Sequence, residues 1–410
     1  MTSVDILIKN ASELVTLKGA ESPRKGQQLS ELSIIKNGSI ALDNGLVVAV
    51  GKNLSYTADR VIDATGKIVL PGFVDPHTHV VFAGSREFEL DLKLQGVSYL
   101  DILQRGGGIF YTVSETRKAS VDQLICESTK RLNTMLSYGT TTCEAKSGYG
   151  LDLKTEMKIL EVQQRLNKEH VIDIVSTFLG AHAVPQEMSS EEYTDLVIDE
   201  MLPHVRDSAS FCDVFCEQGV FTIDQTRRIL TSAKKYGFGL KMHADELVDT
   251  GGARLAAQLG CISADHLLQS SDHNLQEMAR AGVIGVLLPA TPLTLMQHSY
   301  ARARAIISCG VPVALATDLN PNCWTENMQL MIQLACYYMK MTPAEAIAAA
   351  TYNAACALGL HHTIGSLEVG KQADVLVLNC PSHLFVPYHF GVNLVNTVIK
   401  KGSVVRSFSE

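Results

Sequence analysis

No stretch of this 410-residue chain approaches the roughly 20 consecutive apolar residues that a bilayer span requires. Its first residues do not place a basic segment before an apolar core, so no secretory leader is expected. Basic charge is also short: 35 Lys and Arg face 43 Asp and Glu, giving a formal net charge of −8 with no basic stripe. That argues against a nucleic-acid partner. Cysteine is present ten times, yet never as closely spaced pairs of pairs. The nearest two, Cys212 and Cys216, lie on one strand-like stretch, so a disulfide framework is excluded and a reduced, cytoplasmic setting is expected. The triplet Gly106-Gly-Gly108 lacks the Lys-Ser or Lys-Thr of a phosphate loop; a flexible flap is the expectation. Heptads, tandem repeats and low-complexity tails are missing as well. What is left is a globular chain for which no nucleic-acid partner and no membrane are expected.

Against that background one motif stands out. Asp75-Pro-His77-Thr-His79 follows the apolar run Ile68–Val74. Strand side chains alternate faces, so His77 and His79 aim two imidazoles at one point where a strand ends. Seven further apolar stretches each close on a polar residue. They are Thr140–Lys146, Ile172–His182, Cys212–Glu217, Phe238–His243, Ile262–His266, Val283–Pro289 and Val311–Asp318. Between them lie helical stretches with start signals. Ser120 with Gln123, Ser189 with Glu192 and Thr222 with Gln225 have capping-box spacing. Thr342-Pro343-Ala-Glu345 adds proline at the first helical position. Strands alternating with helices imply a parallel sheet covered on both faces. Eight such units make a (β/α)8 barrel, a TIM barrel, the expected α/β fold, with its active site at the strands' C-terminal ends.

The polar residues gathered there are His77, His79, His182, His243, His266 and Asp318. Neutral imidazole and carboxylate suit zinc or iron(II). A single strand-end histidine is usually only hydrogen-bonded, and Asp318 could simply cap a helix. Convergence on one barrel mouth favours ligation, and an unpaired carboxylate closing so apolar a strand would be costly.

Pro71-Gly-Phe-Val-Asp75-Pro-His77-Thr-His79, with His243, His266 and Asp318, resembles the amidohydrolase superfamily over nearly the whole chain. Several loops are similar to its imidazolonepropionase family. These are Phe82–Arg86, Leu94–Tyr99, Gly106–Ile109, Lys146–Gly150, Gly180–Ala183, His243–Glu246 and Thr317–Pro321. The resemblance implies one divalent ion, zinc or iron, held by His77, His79, His243 and Asp318. A second ion would need a bridging residue, commonly a carboxylated lysine, on the fourth strand. Glu217 is there instead, and Lys146 lies on the second strand.

The implied activity is hydrolysis of the cyclic amide of 4-imidazolone-5-propanoate to N-formimidoyl-L-glutamate, the third step of histidine degradation. Metal-bound hydroxide would attack the ring carbonyl, since a divalent ion brings the pKa of water down from about 15.7 towards roughly 7. Glu246, His266 and Asp318 share the proton and oxyanion work, with the base left open among them. Arg86 is the carboxylate clamp, because a guanidinium grips a carboxylate with two bonds. Tyr149, His182, Glu246 and Asn320 complete the substrate contacts. Asn322 and Cys323 stand where some relatives carry glycine and a small hydroxyl residue, so contact there is by backbone N–H or by side chain. A homodimer is implied too.

Short β-like segments precede Pro71, including Val4–Ile8 and a hairpin turning at Asp43-Asn-Gly45. Others, Ala373–Leu378 and Thr397–Val405, follow the last helix. Residues 1–71 and 364–410 are therefore expected to form a small composite β-sandwich domain, and 72–363 the barrel. Two other functions stay in view. One is an aminohydrolase of the same superfamily acting on a nucleobase, which would need no cation for a carboxylate tail. The other is a non-catalytic scaffold barrel, which would have lost a ligand.

Overall fold

The computed structural model describes residues 3–97, 101–102 and 106–407; Ser98 and Tyr99 of the loop noted above lie outside them. Eight strands form a parallel barrel in chain order. They are β6 (Phe73–Asp75), β7 (Thr140–Lys146), β8 (Asp173–Ala181), β9 (Phe211–Cys216), β10 (Gly239–Ala244), β11 (Ser263–His266), β12 (Ile284–Leu287) and β13 (Val313–Leu315). Each corresponds to one of the eight apolar stretches read from the sequence. The ring closes just past the first and last strands. His79 N–H donates to Leu319 O at 2.8 Å, Asp318 N–H donates to His77 O at 3.1 Å, and Thr78 bridges Leu319. Below them, Asp75 accepts from both the N–H and the hydroxyl of Thr317. The closing seam is thus built from the backbone that carries the site.

Helices cover the barrel and begin where side chains satisfy their first N–H groups. Ser189 with Glu192, Thr222 with Gln225 and Thr342 with Glu345 form full capping boxes. Ser120 caps through Gln123 N–H only, because the Gln123 side chain turns to Glu127 instead.

The second sheet combines both ends of the chain. Its strands are β1 (Ser3–Val15), β2 (Ile34–Asp43), β3 (Leu46–Gly51), β4 (Thr57–Asp63) and β5 (Ile68–Pro71), then β14 (Val375–Leu378), β15 (Val395–Lys400) and β16 (Ser403–Ser407). They run β16-β15-β14-β5-β1-β2-β3, with β4 on β1. The β2–β3 hairpin turns through Asn44 and Gly45, both with positive φ, as a tight turn of this hand needs. A bridge from Leu46 to Gln372 folds the sheet over a core that includes Ile8, Leu14, Ile40, Val69, Val377 and Ile399. The result is a barrel with a small β-sandwich beside it. No helix among the described residues is long and apolar enough to cross a membrane.

Two local features differ from expectation. Gly106–Gly108 is not a free flap. Gly108 opens the helix Gly108–Lys118, and its N–H donates to Glu89 Oε1 at 2.6 Å. The helix Glu87–Leu94 reverses the usual amphipathic order, burying Glu89 while Phe88, Leu90 and Leu94 are exposed.

Candidate metal and substrate site

The C-terminal ends of the barrel strands enclose a cavity of about 600 Å³. At its base His77, His79 and His243 each place a ligand atom within 4.8 Å of the others. Asp318 joins them: its Oδ1 is 3.5 Å from His77 Nε2 and 3.8 Å from His79 Nε2. Donors about 2.0–2.1 Å from one tetrahedral ion would stand roughly 3.3 Å apart, so the cluster has the size of a single-ion site. Buried His77 Nε2 and His79 Nδ1 have no hydrogen-bond partner among the described residues. Buried polar atoms are rarely left this way without a further partner. Burial, then neighbouring positive groups, pushes the pKa of His77 and His79 well below the usual imidazole value. That direction favours the neutral, ligating form of both rings. The donor set fits a divalent cation.

Beneath the cluster the barrel is ionic rather than apolar. Asp265 Oδ2 is 2.6 Å from His77 Nδ1, and Asp213 Oδ1 is 3.0 Å from His243 Nδ1. Each carboxylate fixes its ring so that Nδ1–H points inward and Nε2 is left for the cavity side. Burial opposes a charged His243, yet Asp213 outweighs it and the net shift is upward. Lys146 Nζ lies 2.6 Å from Asp213, 2.9 Å from Glu144 and 3.4 Å from Asp265. Lys241 Nζ lies 2.6 Å from Glu144. Sequence reasoning overlooked Asp213, Asp265 and Lys241. The available signal was a charged residue inside a strand that should read as continuously apolar.

Around the cavity the other candidates separate by what holds them. Glu246 and His266 both line it, with carboxylate and ring 3.7 Å apart. Burial, then the nearby Asp318, raises the Glu246 carboxyl to about 8. Burial keeps His266 well below its ordinary pKa. Asp318 Oδ2 accepts from the Thr291 hydroxyl at 2.6 Å, leaving Oδ1 towards the histidines. His266 and Asp318 have φ of 74° and 54°, left-handed values that cost a non-glycine residue of order 1 kcal/mol. Glu217 does not reach the cluster; its Oε2 accepts from Leu247 N–H and so braces the loop that carries Glu246.

Tyr149 and His182 form another wall. His182 Nδ1 is 3.1 Å from Gly148 O, and burial holds its pKa down to about 3. Gly148 has φ +107°, and a Cβ there would meet His182 Nδ1 and Leu179 O at 2.8 Å, so only glycine admits this approach. Arg86 lines the cavity with Nε and Nη2 each 2.8 Å from Glu89. Asn320 lines it as well, but its carboxamide is occupied: Nδ2 donates to Asp318 O, and Oδ1 accepts from the N–H groups of Asn322 and Cys323. Those two N–H groups are therefore not presented to a ligand. Asn322 lines the cavity and accepts from Lys93 Nζ at 2.6 Å. Cys323 departs from expectation. It is fully buried with its thiol 3.5 Å from Thr317 O, and it does not line the cavity. The tight Asn320 turn directs that side chain into the core.

The amidohydrolase family model matches residues 68–405. The imidazolonepropionase of Alkaliphilus metalliredigens is 52% identical over 413 residues, covering 98% of each chain. That of Geobacillus kaustophilus is 52% identical over 414 residues, covering 98% of this chain and 97% of its own. The chain belongs to the imidazolonepropionase family of amidohydrolases. Solved structures share the fold at lower identity. An adenosine deaminase from Xanthomonas campestris with bound zinc superposes with a TM-score of 0.72 at 21% identity, covering 98% of this chain and 93% of that one. A mutant atrazine chlorohydrolase, TrzN, from Arthrobacter aurescens TC1, complexed with zinc and atraton, gives 0.74 at 17%, covering 98% and 95%. The family and the histidine-rich cluster together point to a divalent metal as cofactor.

Proposed function

We propose that this member of the imidazolonepropionase family hydrolyses 4-imidazolone-5-propanoate to N-formimidoyl-L-glutamate, with one ion, zinc or iron, held by His77, His79, His243 and Asp318. The observation that carries the reading is one cavity whose base is a buried donor cluster and whose wall includes a fixed guanidinium. Such a cavity suits a ring amide with an acidic tail. When bound, the divalent ion supplies Lewis acidity and makes water acidic enough to attack at neutral pH.

The protein's own groups do the rest. Glu246, on the cavity wall beside His266, takes the proton of the attacking water and delivers it to the departing ring nitrogen. His266, on the cavity wall 3.7 Å from Glu246, donates to the carbonyl oxygen as negative charge develops there. A C–O bond forms at the ring carbonyl, the C–N bond breaks, and the nitrogen leaves within the formimidoyl group. His182 presents its second ring nitrogen to the imidazolone, Tyr149 packs beside it, and Arg86 holds the propanoate. Asn320, which accepts from Asn322 N–H, shapes the remaining wall together with Asn322. Domains 1–71 with 364–410 and 72–363, a homodimeric assembly and a cytoplasmic location belong to the same reading.

The test is direct. Metal-loaded enzyme given 4-imidazolone-5-propanoate is expected to abolish the imidazolone absorbance and yield formimidoylglutamate by mass spectrometry. Inert behaviour towards this compound, with ammonia released from guanine or cytosine, would replace the reading with a nucleobase aminohydrolase.

A further inference from the structure

We infer that Lys93, steadied by Asn322, is a second cation of the substrate-carboxylate subsite and selects ring amides with an acidic tail over their neutral analogues. This rests on the reaction proposed above and extends it to a residue with no role assigned so far.

The argument begins with charge. Arg86, Glu89 and Lys93 are spaced at three and four residues along the helix Glu87–Leu94 and its first cap, so they share one face. Glu89 is almost fully buried and grips Arg86 with two 2.8 Å bonds, while its Oε1 also accepts from Gly108 N–H. This fixes the guanidinium in position but cancels its charge. A substrate carboxylate meeting the Arg86–Glu89 pair alone would find a rigid donor, Nη1, and no net positive field. Lys93 supplies the missing unit. Its ammonium lies on the same cavity wall, and its hydrogen bond among the described residues is to a neutral acceptor, Asn322 Oδ1 at 2.6 Å. An amide oxygen orients an ammonium without neutralising it, and among the described residues no other hydrogen bond takes up the remaining two of the three N–H donors. Arg86, Glu89 and Lys93 together thus carry one net positive charge, the complement of a monocarboxylate. Partial burial raises the worth of that charge, since screening is weaker than at open surface.

A carboxylate bound this way is held equally before and at the transition state, so its loss should fall on KM rather than kcat. The experiment compares wild type, Lys93→Met and Lys93→Arg, all metal-loaded, on 4-imidazolone-5-propanoate and on its propanamide analogue. Lys93→Met is expected to raise KM for the acid about tenfold, the scale of one charge-assisted hydrogen bond. Its kcat should stay within about twofold, as expected for lost uniform binding. Its KM for the amide should not move, and Lys93→Arg should retain the preference for the acid. Added salt should raise the wild-type KM for the acid more than that of Lys93→Met. Equal KM values of wild type and Lys93→Met for the acid, or equal losses on acid and amide, would overturn the assignment. Failure of wild type to consume the acid at all would instead overturn the proposed reaction, and this inference with it.

Discussion

An imidazole serves as a ligand when one nitrogen is free and its partner nitrogen is tied. His77 meets both conditions through a single neighbour. Asp265 Oδ2 sits 2.6 Å from Nδ1, while Nε2 is buried without a hydrogen-bond partner among the described residues. The Ser263 hydroxyl in turn donates to Asp265 Oδ1 at 2.7 Å, so the carboxylate cannot rotate freely. Asp265→Asn keeps the shape but halves the acceptor capacity and removes the charge facing the ring. It should weaken metal affinity about 10–100-fold, the usual effect of losing such an outer carboxylate. Competition with a chromogenic chelator measures this, with circular dichroism to check that the variant is folded. An affinity equal to wild type would show that the His77 ring is held without Asp265.

At the scale of elements, the barrel's interior is unusual in carrying charge on neighbouring strands. Glu144 and Lys146 share one face of β7, and Asp213 on β9, Lys241 on β10 and Asp265 on β11 meet them inside. Every one of these groups is fully buried. A buried network holds only while each member is compensated. Removing the Lys146 ammonium leaves three carboxylates sharing what Lys241 can reach. Lys146→Met is therefore expected to cost about 3–5 kcal/mol of stability, the range for breaking a buried pair from one side. Denaturant unfolding of the metal-free protein would read it, and a loss below about 1 kcal/mol would mean that water or rearrangement replaces the ammonium. This network also marks where the sequence was hard to read. The eight strands were visible because each is an apolar run closed by a polar residue, and the boxes at Ser189, Thr222 and Thr342 because capping is local chemistry. Residues at strand ends, such as His243 and Asp318, stand out for the same reason. Asp213 and Lys241 did not, because a charge within a strand reveals its partners only when neighbouring strands are in register. The helix Glu87–Leu94 was equally opaque: it buries an acid to hold an arginine, and hydrophobic pattern predicts the opposite face. Cys323 was assigned to the cavity by resemblance alone, which reports position along a loop and not the direction in which the turn at Asn320 points it.

At the scale of the whole molecule, the barrel is joined to the terminal β-sandwich at the end opposite the site. Asp173 opens β8 and meets Lys400 Nζ at 2.8 Å, Lys401 Nζ at 2.6 Å and Gln372 Nε2 at 3.2 Å. Gly139, just before β7, leaves no room for a side chain against Leu376, which belongs to β14. Burial alone would raise the Asp173 pKa, but Lys400 and its neighbours outweigh it and the net shift is downward. A carboxyl whose pKa is lower when folded stabilises the protein above its unfolded value of about 3.9, and that contribution fades as pH falls through the lower, folded value. Asp173→Asn should then melt about 1–3 °C below wild type at pH 7, the shift expected for roughly 1–2 kcal/mol in a chain this long. The gap should stay constant between about pH 8 and 5 and close only as the pH drops below about 4, where wild type loses the same charge. Thermal unfolding of both proteins across that range, with turnover at pH 7 measured alongside, tests the placement as well as the charge. Because the joint lies far from the cavity, kcat and KM should be unchanged; a gap already closing above pH 6, or a loss of turnover at full folding, would contradict a joint that acts only in stability.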